Sequence, residues 1–144
     1  MKKITVIFSI LLIGISINTC MAGDTPSEVV RKFCQFDFEG ARLSSKTYSD
    51  IVPLISYPEE PGWDTVISIT GYTIKKEKIF GNNAEVIVEY NIDQSWPAGV
   101  TIPNIEVIKL AQYDGAWRIK EYVMYPRVSK DVLCKKFKRC KEKS

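Results

Sequence analysis

Two carboxylates stand among apolar neighbours. Asp37 continues the helically spaced stripe of Val30, Phe33 and Cys34, and Glu121 interrupts the alternating set Trp117, Ile119, Val123 and Tyr125. A carboxylate on a buried face is costly unless it is paired, protonated or set in a wet pocket. Asp37 and Glu121 are therefore candidate catalytic residues, each a general base of raised pKa, which is the chemistry of a pocket enzyme of isomerase or hydrolase type. Arg42 can reach either of them. If it does, the three form a buried ionic cluster that fixes helix to sheet, and this structural reading is the preferred one. Tyr57 and Trp63 flank a loop with Pro58 and Pro61 and are placed to rim a pocket. Arg42, Tyr57, Trp63 and Glu121 form the candidate ligand-binding set.

The absences narrow the chemistry. The 144 residues contain no histidine. Ser-His-Asp and Cys-His catalysis and His-ligated metal are thereby excluded. There is no CxxC pair and no glycine-rich phosphate loop. Neither a metal nor a cofactor is expected.

Elements that would position these residues follow along the chain. Thr25, Pro26 and Glu28 open a helix with a capping box, and Gly40 closes it. A second helical piece is expected over 48–55, opened by Ser45 or Thr47 and shortened by Pro53. From residue 64 the period becomes two. Strands are expected over 64–70, 72–80, 84–93, 104–113 and 116–125. Gly81-Asn82-Asn83 and Asp114-Gly115 mark hairpin turns, and Pro126 ends the last strand. Ser129 opens a final amphipathic helix with Leu133, Phe137 and Cys140 on one face. Helices followed by antiparallel hairpins make an α+β fold.

The helix over 26–38, the exit Glu39-Gly40-Ala41-Arg42-Leu43 and the hairpin ending Gly115-Ala116-Trp117-Arg118-Ile119 resemble the NTF2-like superfamily. The resemblance covers about residues 25–126. It implies a cone, with a curved antiparallel sheet wrapped around the N-terminal helix and a pocket between them. The superfamily contains isomerases, dehydratases, binding modules and immunity proteins, so the likeness alone implies no single activity. A dimer through the outer face of the sheet is implied by the resemblance only. The first helix lacks the tyrosine that the isomerase branch places there.

Residues 1–22 read as a signal peptide. Lys2 and Lys3 precede an apolar run over 4–17, and Cys20-Met21-Ala22 supplies the small residues of a cleavage site. The run is shorter than the roughly 20 residues of a spanning helix. A periplasmic or secreted protein is expected. The alternative is a lipoprotein tethered through Cys20.

Cleavage after Ala22 leaves a domain over 23–126 and a basic tail over 127–144, with a net charge of +1. The domain carries ten basic and fifteen acidic residues, the tail eight and two. A small ligand or a protein partner is expected for the domain; the basic tail allows weak contact with a membrane surface, and export with an acidic body disfavours nucleic acid. An immunity-type or envelope-associated protein is a further reading.

Three cysteines then remain. Cys134 and Cys140 lie about 9 Å apart on a regular helix by rise alone. That exceeds the roughly 7 Å a disulfide spans. Either the helix breaks and Cys134 bonds Cys140, or one tail cysteine bonds Cys34.

Overall fold

A computed structural model of the chain describes residues 23–94 and 101–138. The expected signal peptide, Cys20 and Cys140 lie outside these residues.

Helix α1 (Pro26–Phe38) begins as its sequence dictates. Thr25 Oγ1 accepts the Glu28 N–H at 3.2 Å, and the Glu28 carboxylate accepts the Thr25 N–H at 2.6 Å. The Ser27 N–H is taken by Glu77 at 2.7 Å, which ties the helix start to the sheet. Val29, Val30, Phe33, Cys34 and Asp37 form the buried face. The helix ends at Gly40, whose φ is +89°. A Cβ there would lie 2.9 Å from Val132 Cγ1, so both conformation and space require glycine. The turn it makes delivers a 3₁₀ turn over Ala41–Leu43 that points Arg42 inward.

The expected second helix is two short pieces: α2 (Ser45–Tyr48), capped by Ser44, and a 3₁₀ turn over Val52–Leu54. Pro53 offers no N–H to continue a longer helix.

Five strands follow: β1 (Ile67–Phe80), β2 (Asn83–Ile92), β3 (Ile105–Tyr113), β4 (Ala116–Ile119) and β5 (Arg127–Ser129). Their order is β4-β3-β2-β1-β5, antiparallel except that β5 runs parallel to β1. The stretches 64–70 and 72–80 join into the single strand β1. Its register shifts at Ile69/Gly71 and Ile74/Lys76, and such irregularities bend a strand. The sheet curls into a half-barrel, and the fold is α+β.

Ala84, Val86, Val88 and Tyr90 of β2 face inward as their alternation predicts. With Ile108, Leu110 and Ile119 they pack on Val30 and Phe33 of α1. The space between helix and sheet, expected as a pocket, holds this core.

The last hairpin departs from expectation. Strand β4 stops at Ile119, where the Lys120 N–H makes a final bond to Lys109 O. The chain then leaves the sheet, and alternation no longer sets the direction of its side chains. Glu121 is exposed and pairs with Lys109 at 3.1 Å, while Val123 turns inward. Glu121 is therefore not on the buried face, and nothing brings it to Asp37 or Arg42. Pro126 precedes a strand rather than ending one. Residues 127–129, assigned to the tail by sequence, are part of the sheet.

Helix α3 (Lys130–Phe137) starts at Ser129, whose hydroxyl accepts the Val132 N–H, and buries Leu133. Cys134 lies on this helix, and the expected pairing with Cys140 falls outside the described residues. Cys34 is a free, buried thiol, so it does not bridge to the tail. Burial pushes its pKa up to about 12, which keeps it unreactive.

Candidate functional site

The site grows around Arg42, whose side chain is fully buried. A buried guanidinium needs acceptors in several directions. Nε donates to Glu60 Oε2 at 2.9 Å, and Nη1 donates to Asp37 Oδ2 at 3.1 Å and to Tyr125 O at 3.3 Å. Nη2 donates to Val123 O at 2.6 Å. The guanidinium also lies 5.5 Å from the ring centres of both Phe33 and Trp63. Burial works to discharge Arg42, but Asp37 and Glu60 outweigh it and hold the cation firmly charged.

Asp37 does not have the freedom of a general base. Its Oδ2 accepts from Arg42 and from the Arg127 N–H at 2.9 Å. Its Oδ1 is buried without a hydrogen-bond partner. Burial raises its pKa, with Arg42 opposing. No substrate proton can approach a carboxylate so enclosed.

Glu60 replaces Glu121 as the second carboxylate of the cluster. Its Oε1 accepts from the Tyr57 hydroxyl at 3.2 Å, and its Oε2 accepts from Trp63 Nε1 at 3.0 Å as well as from Arg42. Tyr57 is buried and packs against Tyr122 with the rings tilted by 53° and their centres 4.7 Å apart. Trp63 meets Tyr125 edge-on at 5.6 Å. The structure thus brings Asp37, Arg42, Tyr57 and Trp63 together and leaves Glu121 outside. Glu60 has a faint sequence signal: an acid three residues from Tyr57 and three from Trp63.

A second arginine adjoins the cluster. The Arg127 guanidinium lies 4.2 Å over the Tyr90 ring and 2.8 Å from Glu106 Oε2. Its Nη1 also donates to Met124 O at 2.6 Å and to Tyr125 O at 3.4 Å. Burial raises the Glu106 pKa, with Arg127 opposing. Tyr125, whose carbonyl both arginines share, has φ +39°. Such a backbone costs of order 1–3 kcal/mol outside glycine, and the two donors on its oxygen offset that strain.

Beside Arg42 opens a cleft of about 630 Å³. Leu43, Trp63, Val66, Pro126 and Phe137 form its apolar walls, and the exposed Lys136 also lines it. Lys136 Nζ donates to Leu43 O at 2.5 Å, linking α3 to the turn that carries Arg42. Among the described residues no group of His, Cys, Asp and Glu is arranged to hold a metal.

Compared with protein-family models, with curated proteins and with solved structures, the chain has no significant match.

Proposed function

We propose that this chain is an exported NTF2-like domain that binds a small ligand without transforming it. The cleft beside Arg42 carries this reading. Its volume of about 630 Å³ falls within the roughly 300–1,000 Å³ of small-molecule sites, and its walls are mainly apolar with a few polar groups among them. The alternative of a pocket enzyme finds less support. Glu121 is paired in solvent with Lys109, and Asp37 is sealed behind Arg42.

Binding is tested by screening small molecules against the isotope-labelled protein and following the Trp63 indole N–H and the Val66 methyl resonances. Hits that move both signals support the reading. A broad library that moves neither at millimolar concentration sinks it. Turnover of any hit, lost in Asp37→Asn, would favour the enzyme.

A further inference from the structure

The cleft has two electrically different ends. Its inner end is closed by the Arg42–Glu60 pair, behind which lies Asp37. Two carboxylates there face one guanidinium, which gives four of its five N–H groups to them and to two main-chain carbonyls and is itself fully buried. Tyr48, also lining the cleft, is held neutral: burial and the Glu60 charge push its pKa up to about 12. An anion entering this end would find carboxylates and no spare cation. The outer end is the reverse. Lys136 is exposed there, and α3 carries Lys130, Lys135 and Lys136, with Lys138 at its C-cap. Leu43, Trp63, Val66 and Phe137 offer a ligand apolar contact along the cleft, and Ser44 and Ser45 add an uncharged polar lining.

We propose that the cleft takes an amphiphilic anion, its alkyl chain against Trp63, Val66 and Leu43 and its single charged head at the rim on Lys136. This deepens the binding reading above and rests on it. A carboxylate head of a free fatty acid and a phosphate head of a lipid share the required chemistry. Lys136 is the specificity-determining residue. It lines the cleft as an exposed ammonium, whereas Arg42 and Glu60 are buried, so it selects for charge and orients the chain inward.

Calorimetric titration of the protein with decanoate, decyl phosphate and decanol tests this. Decanoate or decyl phosphate should bind, and the tighter of the two identifies the head group. Each methylene removed should weaken binding about fourfold. Lys136→Met should weaken the anions about threefold to fivefold and leave decanol unchanged. Lys136→Arg should restore the anions.

Val66→Trp, checked for a native melting curve, should abolish binding of all three by filling the cleft. Equal binding of decanol and decanoate, unaltered by Lys136→Met, would overturn the charged-head assignment while leaving the cleft a binding site. Decanoate binding that survives Val66→Trp would place the ligand elsewhere and overturn the proposal. If none of the three binds, the proposal fails. The broader library, read at Trp63 and Val66, then decides the binding reading separately.

Discussion

Arg42 and Arg127 are both buried, both lie against aromatic rings and both donate to the Tyr125 carbonyl, yet they are held differently. Arg42 uses all three of its nitrogens, on two carboxylates and two main-chain oxygens. Arg127 leaves Nε buried without a partner, and its close approach to Glu106 Oε2 is an ion pair outside hydrogen-bond geometry. The difference follows from what carries them. Arg42 sits on a short turn freed by Gly40, so its backbone can be placed to suit its side chain. Arg127 opens β5, and the register against Ile67 fixes its direction first.

The two share a task. Val123, Met124 and Tyr125 lie where the chain has left the sheet, and their carbonyls accept from arginine instead of from a neighbouring strand. Buried main-chain acceptors must be satisfied somehow.

The largest effect expected is at the saturated arginine. Arg42→Met should lose about 3–5 kcal/mol in urea unfolding, because it strands Asp37 and Glu60 without their cation. Arg42→Lys should recover only part, since a lysine cannot fork between them. A loss below about 1 kcal/mol would dissolve the contrast.

Arg127→Met should cost less, about 1–3 kcal/mol. Glu106 is more open to solvent than Asp37, at 17% against 4%, and it can take up a proton when its partner goes. Equal losses for the two variants would show that saturation does not matter.

The third test is pH. Burial raises the carboxyl pKa of both Asp37 and Glu106. Each binds its proton more tightly folded than unfolded. The stability this supplies is complete below about pH 4 and is lost as the pH rises through the raised values. Asp37→Asn removes the Asp37 share of that dependence. Its cost in urea unfolding should be greater at pH 4 than at pH 7, and a cost that grows with pH would reverse the assignment.

The smallest effect is at the discarded carboxylate. Glu121→Gln breaks an exposed pair with Lys109 and should stay within about 0.5 kcal/mol of wild type by thermal melting. A larger loss would return Glu121 to the buried set.

Sequence carried some of this architecture clearly. The Asp37–Arg42 pair was legible because both partners belong to one local unit, a periodic helix and the turn that its glycine stop creates. The inward face of β2 was legible from strict alternation. Glu60 was obscured by a loop that has no period. Glu106 and Arg127 meet only because β5 docks on β1, and no local pattern announces a parallel partner. Glu121 was misread because alternation says which way a strand residue points but not where the strand leaves its sheet. Lys120, the last residue bonded to β3, carries no composition cue for that departure.

The docking of β5 on β1 also orders events in time. The turns at Gly81 and Asp114-Gly115 join neighbours in the chain, and hairpins of this kind form in roughly 1–10 μs. The contact of Ile67 with Arg127 spans both hairpins, and its loop-closure cost leads us to expect it after them. Asp37 and Arg42 contact the 123–127 segment that leads into β5, so they are expected to join it at the same stage. Arg42→Met should therefore speed unfolding by nearly its whole equilibrium effect and leave refolding within about twofold of wild type. On that order the cleft forms with the last step, and an occupant bound there would lengthen the lifetime of the folded molecule without hastening its formation.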